Sequence, residues 1–283
     1  AYLGSVALSH AGDRVAVAAR GRAALAGVGP LRRIEIAPPT TARVRQPLLS
    51  RDGKHVHAIV DQDGRSEIWR FPADGAAGGT ALTRDGQVHR WRLYPSPDGR
   101  WLAHDDKLGR LWLLDLRDGS NRMVDESEHA RDDAYQSVVW SLDSRYLAAA
   151  RPDTTRQRNQ IVLIALAGSK TAVLSSDRYD SHAPQFSRDG EWLYFLSDRT
   201  FQPPASGPWG DRNTGAGFDR RTRVYALALQ AGLRFPFQPR DELQAAIADA
   251  PPTSSGDAAK APSKTPPELP AVDFEGLAAR LYE

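Results

Sequence analysis

The chain has 283 residues, with 37 Lys and Arg against 35 Asp and Glu, a formal net charge of +2. That near-balance excludes the one-signed basic field of a nucleic-acid-binding protein. The absence of cysteine excludes disulfide staples, thiol catalysis and cysteine-ligated zinc, and no apolar run approaches the ~18 residues of a membrane-spanning helix.

In chain order, residues 1–10 carry no charged stretch followed by an apolar one, so no signal peptide is read there. The chain opens in what reads as mid-strand, as expected of a fragment whose N-terminus lies elsewhere. Val6-Ala7-Leu8 then leads into Ser9-His10-Ala11-Gly12-Asp13. The same order of events recurs. Pro47-Leu48-Leu49 precedes Ser50-Arg51-Asp52-Gly53, and Trp91-Arg92-Leu93-Tyr94 precedes Ser96-Pro97-Asp98-Gly99. Val138-Val139-Trp140 precedes Ser141-Leu142-Asp143-Ser144, and Pro184-Gln185-Phe186 precedes Ser187-Arg188-Asp189-Gly190. The serines return every 41 to 46 residues, the length of one propeller blade.

Each Asp-Gly pair predicts a tight turn, because Gly accepts positive φ and Asp bonds its own backbone. An alternating strand follows, such as Glu191-Trp192-Leu193-Tyr194-Phe195-Leu196. A third strand is expected over 67–71, 110–116, 160–166 and 223–229, and a weak fourth over 121–124. The spacing predicts an all-β fold, a β-propeller with about five four-stranded blades. A β-sandwich would show turns every ~8–12 residues without the longer self-similarity. The Ser-x-Asp-Gly motif is a turn and not a nucleophile elbow, since no Gly-x-Ser-x-Gly occurs.

Two segments break the pattern. Residues 200–221, rich in Gly and Pro, interrupt the last blade between its second and third strands. Blades are expected over 1–235, a disordered Pro/Ala/Ser-rich linker over 236–271, and the start of a further propeller strand over 272–283.

Few side chains invite chemistry. His55 and His57 share one strand face, the arrangement of a zinc chelate, but lack a third ligand. Asp105-Asp106 and Asp132-Asp133 could hold a hard cation but read better as solvated turn residues. Neither a metal site nor a cofactor is expected. The loops feeding each inner strand mix aromatics with charges: His89-Arg90-Trp91, Asp133-Ala134-Tyr135-Gln136 and Arg178-Tyr179-Asp180-Ser181-His182. Stacking area beside hydrogen-bonding groups suits a peptide-contacting mouth. Arg90, Trp91, Tyr135, Tyr179, Asp180 and His182 are therefore the candidate substrate-binding residues, weighed against ordinary blade packing. Arg220, Arg221 and Arg223 could attract acidic peptide ends but read better as a solvated run. Trp101, Trp112 and Trp192 are expected between blades.

The ordered set of Leu111-Trp112-Leu113-Leu114-Asp115-Leu116, Tyr194-Phe195-Leu196-Ser197-Asp198-Arg199, Phe235-Pro236-Phe237 and Val272-Asp273-Phe274-Glu275-Gly276-Leu277 resembles the tricorn-type serine peptidases, in their second, seven-bladed propeller. The resemblance implies about five blades of that ring and a non-catalytic module guiding or filtering peptides. PDZ and peptidase domains of the parent chain would be its partners, in a possible hexameric homo-oligomer, and no catalytic residue carries over to this chain. It implies neither nucleic-acid nor membrane partners. The alternative is a TolB-like propeller acting as a protein-protein interaction scaffold. The cytoplasm is the expected compartment, with the periplasm open.

Overall fold

The computed structural model describes residues 3–27, 29, 33–76, 78–127, 134–155, 158–202, 221–238 and 269–283. Alternating apolar positions and short turns fold each repeat into an antiparallel meander of four strands. The first sheet holds β1 (Leu3–Leu8), β2 (Arg14–Ala19), β3 (Arg22–Gly27) and β4 (Ile34–Ile36). The second holds β5 (Arg43–Leu49), β6 (His55–Gln62), β7 (Arg65–Pro72) and β8 (Thr80–Ala81). The third holds β9 (Arg90–Pro95), β10 (Trp101–Asp106), β11 (Arg110–Asp115) and β12 (Asn121–Glu126). The fourth holds β13 (Ser137–Trp140), β14 (Tyr146–Pro152), β15 (Asn159–Ala165) and β16 (Lys170–Val173). The fifth holds β17 (Ser181–Phe186), β18 (Trp192–Ser197), β19 (Arg223–Ala228) and β20 (Leu281–Tyr282). First strands touch the first strands of the next sheet, β1 with β5, β5 with β9 and β13 with β17. They therefore converge, and the fourth strands lie outermost. Among the described residues no helix is long and apolar enough to cross a membrane.

The repeated turn is built the same way four times. Each serine hydroxyl donates to the aspartate two residues on, at 2.6 Å from Ser50, 2.5 Å from Ser96, 2.7 Å from Ser141 and 2.5 Å from Ser187. The same hydroxyl accepts the N–H of His55, Trp101, Tyr146 or Trp192. In the turn of the fourth sheet Ser144 replaces Gly at φ +62°, and its hydroxyl accepts the Asp98 N–H of the neighbouring sheet at 3.0 Å. A side chain is kept where Gly is easier because it ties two blades together.

Successive sheets bury apolar faces against each other. Leu25 and Val56 meet between the first two, Ile59 and Leu102 between the next two. Leu113 meets Leu147, and Leu163 meets Leu193, farther round. Polar ties cross the same seams at the period of the repeat. Arg45 donates to the Arg90 carbonyl at 3.0 Å, and Arg92 donates to the Tyr135 carbonyl at 2.8 Å.

Trp192 is buried at 3% exposure, whereas Trp101 and Trp112 are half-buried. Trp101 packs against the core between the third and fourth sheets, as expected, whereas the core around Trp192 is made of fifth-sheet residues and the segment after β19, a correction to its inter-blade reading. Trp101 lies under the Arg100 guanidinium, and the Trp112 indole N–H needs its bond to Asp106, at 2.9 Å.

The interruption at 200–221 falls between β18 and β19, as expected, with 203–220 outside the described residues. The further strand expected within 272–283 is β20, which pairs with β19 through Leu227–Leu281 and Ala226–Tyr282. It completes the fifth sheet. Most of the preceding Pro/Ala-rich stretch, 239–268, lies outside the described residues.

Candidate functional site

In an antiparallel meander, the Ser-x-Asp turns occupy one end of every sheet. The turns between second and third strands, and the connections between blades, occupy the other. All six candidate residues gather at that second end.

Arg90 begins β9 and is 2% exposed. Its guanidinium donates to Asp85 at 2.5 Å, to the Ser66 carbonyl at 2.9 Å and to His104 Nδ1 at 3.2 Å. A guanidinium has no acceptor, so His104 Nδ1 accepts and its Nε2–H donates to Asn121, at 3.0 Å. Asn121 in turn donates to Asp85 at 3.1 Å, closing a ring of hydrogen bonds across two blades. Burial, then the Arg90 charge, pushes the His104 pKa down to about 3 and keeps the ring neutral.

Tyr135 is fully buried in the core. Its hydroxyl donates to Asp125 at 2.8 Å, and Asp125 also accepts from Arg151 at 2.7 Å. Burial and the Asp125 charge push the phenol pKa up. Asp180 accepts the Asn159 N–H at 2.8 Å, while its carbonyl accepts the Asp198 N–H at 2.9 Å. Arg90 and Tyr135 are thus buried in internal bonds, which corrects their reading as exposed mouth residues, whereas Asp180 is half-buried with one carboxylate oxygen bonded. In sequence, a charged or aromatic loop residue that ties blades together looks the same as one that meets a ligand.

Trp91, Tyr179 and His182 remain half-buried with surface to offer. Trp91 packs edge-on against His89, with ring centroids 4.7 Å apart, and its buried indole N–H has no partner among the described residues. The Tyr179 ring lies 6.2 Å from that of Phe201, which is 53% exposed. The Arg199 guanidinium sits 5.6 Å from the Tyr179 ring and 4.5 Å from the Tyr225 ring, fixed by its bond to the Ser197 hydroxyl, at 3.0 Å. His182 precedes the Ala183 bulge, φ +52° on β17. Arg199 and Phe201 were not among the sequence candidates. Their signal was an arginine and an aromatic at the mouth of the insertion.

The remaining chemistry is structural. Arg221 pairs with Asp198 at 3.0 Å and Arg223 with Glu283, and Arg220 lies outside the described residues. Asp105 and Asp106 are buried, a correction to their reading as solvated turns. Asp105 accepts the Arg92 N–H at 2.9 Å, and Asp106 accepts from Arg110 at 2.8 Å. Asp132 and Asp133 lie outside the described residues. His55 is half-buried and His57 buried, on β6. Among the described residues no group of three or more His, Asp or Glu is placed to hold a metal. What this end offers is aromatic faces, one held guanidinium and an imidazole.

The sequence profile of the tricorn protease second beta propeller domain matches residues 3–283. The chain is 29% identical over 249 residues to tricorn protease homolog 1 of Streptomyces coelicolor, covering 84% of this chain and 22% of that protein. It is 26% identical over 147 residues to the tricorn protease of Thermoplasma volcanium, covering 50% of this chain and 14% of that protein. The chain therefore spans under a quarter of the length of these relatives. The crystal structure of the tricorn protease superposes with a TM-score of 0.75 at 18% identity, covering 99% of this chain and 25% of that one. TolB from Acinetobacter baumannii shares the fold with a TM-score of 0.51 at 15% identity, over 80% of this chain and 51% of that one. The chain belongs to the family of tricorn protease second β-propeller domains.

Proposed function

We propose that this chain is a non-catalytic module that guides or filters peptides toward a serine-peptidase domain elsewhere in its parent protein. The family match over residues 3–283 carries the reading, together with the relatives' names as proteases. Trp91, Tyr179 and His182, joined by Arg199 and Phe201, are the proposed peptide contacts. Arg90, Tyr135 and Asp180 position the loops that present them. Aromatic faces and a guanidinium suit an extended polypeptide, giving stacking area and hydrogen bonds to carbonyls. The parent's other domains, with peptide or unfolded polypeptide as substrate, are the proposed partners.

In the parent protein, Tyr179→Ala and His182→Ala should leave cleavage of a short fluorogenic substrate unchanged. The rate on peptides of ten or more residues, order of magnitude, should fall about tenfold if one or two stacking contacts are lost. An unchanged length preference in both variants would refute the reading. The scaffold alternative rests on the fold shared with TolB alone, and it predicts no length dependence in either variant.

A further inference from the structure

At the opposite end of the sheets, among the Ser-x-Asp turns, lies a cavity of about 500 Å³. Leu49 of the second sheet and Trp101 and Leu116 of the third form apolar walls. Leu8 of the first sheet and Leu142 of the fourth also line it, 65% and 38% exposed. Its volume falls in the ~300–1,000 Å³ range of built ligand sites.

Two observations point to an occupant. His57 lines the cavity at 6% exposure and has no hydrogen-bond partner among the described residues. Its nitrogens are open to the cavity and not enclosed by protein, and a neutral imidazole can donate to a carbonyl or accept from an amide N–H. Burial holds His57 neutral at pH 7, with its pKa pushed down to about 4. The second observation is charge. Arg51 and His10 line the cavity, and no carboxylate residue does. The adjacent Asp52 and Asp98 lie outside the lining, accepting from Ser50 and the Lys54 N–H and from Ser96 and the Arg100 N–H. Arg51 donates to the Pro97 carbonyl and has no carboxylate partner among the described residues. Apolar walls, an imidazole open to the cavity and a guanidinium with no paired carboxylate complement an apolar side chain beside a carboxylate on a peptide.

We propose that this cavity is a peptide subsite that takes a large apolar side chain against Leu49, Trp101 and Leu116, a peptide amide on His57 and a neighbouring carboxylate on Arg51. It rests on the reading of the chain as a peptide-handling module, at the end of the sheets away from Tyr179. Sequence reasoning passed over it, because its lining is drawn from four successive repeats and each residue looks there like an ordinary turn or core position.

The test is fluorescence anisotropy of N-terminally labelled tripeptides with the whole chain. Gly-Ala-Phe with a free carboxylate should bind, and Gly-Ala-Ala should bind about tenfold more weakly, for loss of the buried ring. Gly-Ala-Phe amide against Gly-Asp-Phe amide tells whether the carboxylate is terminal or a side chain. Arg51→Gln should weaken the carboxylate peptides about tenfold and leave Gly-Ala-Phe amide unchanged. Leu142→Glu, at the exposed rim, should weaken them as well. Thermal melts establish that both variants fold. Equal binding of the Phe and Ala peptides, or indifference to Arg51→Gln and Leu142→Glu, overturns the subsite. If peptides still bind and Tyr179→Ala weakens them, the subsite falls alone. If no peptide binds the unaltered chain, the peptide-handling reading falls with it.

Discussion

Ser144 shows how one residue serves two demands. Its φ of +62° costs a non-glycine residue of order 1 kcal/mol, while its hydroxyl satisfies the Asp98 N–H. Ser144→Ala keeps the strain and loses the bond, so it should destabilise by about 1–2 kcal/mol. Ser144→Gly relieves the strain and should cost less, and chemical denaturation of the pair resolves the difference. The buried imidazoles set the pH response. His57 and His104 are held near 4 and 3, against an ordinary value of 6.5. Above pH 6.5 both are neutral folded or unfolded, and stability is at its full value. As pH falls from 6.5 toward 4, the unfolded chain takes up protons that the folded one refuses. Each histidine then removes up to about 1.4 kcal/mol per pH unit. Melting temperatures should fall across that window, and His104→Gln should flatten the fall. Asp52 and Asp189 are held low first by Ser50 and Ser187, so their contribution is lost only below the ordinary carboxylate range.

At the scale of strands and loops, the question is which side chains hold the sheets and their loops. Trp192 packs with Ala226, Ala228 and Phe235 on the fifth sheet, and Trp192→Ala should cost about 3–5 kcal/mol. Trp112 is half-buried, so Trp112→Ala should cost less. Tyr135→Phe leaves Asp125 with Arg151 but without its phenol, and should destabilise by about 1–3 kcal/mol. Asp180→Ala strips the Asn159 N–H of its acceptor and belongs with it. Tyr179→Ala, at a surface site, should stay within about 0.5 kcal/mol. Thermal melts of these variants separate the residues that hold the loops from those that the loops present. If Tyr179→Ala unfolds as readily as Tyr135→Phe, this end is structural throughout.

For the whole molecule, the outer face of the first sheet decides behaviour in solution. Leu3 and Val6 are 61% and 55% exposed, whereas Leu233 and Phe235 fold back over the fifth sheet around Trp192. An apolar sheet face of this kind associates. The chain studied alone should form concentration-dependent oligomers by light scattering, and Val6→Lys should shift them toward monomer. A monomer at all concentrations would show that the face is not sticky.

The periodic elements were legible in sequence because they are local. A Ser-x-Asp-Gly turn and an alternating strand carry their instructions within a few residues, so the five blades and the place of the insertion could be read directly. The same holds for the family, whose ordered motifs span the chain. The fate of individual loop side chains was not legible, because it depends on partners about one repeat away. Arg92 reaches Tyr135, Arg45 reaches the carbonyl of Arg90, and Ser144 reaches Asp98. The fourth strand of the last blade comes from residues 281–282, beyond the Pro/Ala-rich stretch that follows β19, where no local pattern announces the pairing. Sequence determined the repeat and its turns. Tertiary packing alone decided which charges became buried ties and which aromatics stayed at the surface, because burial and charge pairing are set by the neighbouring blade.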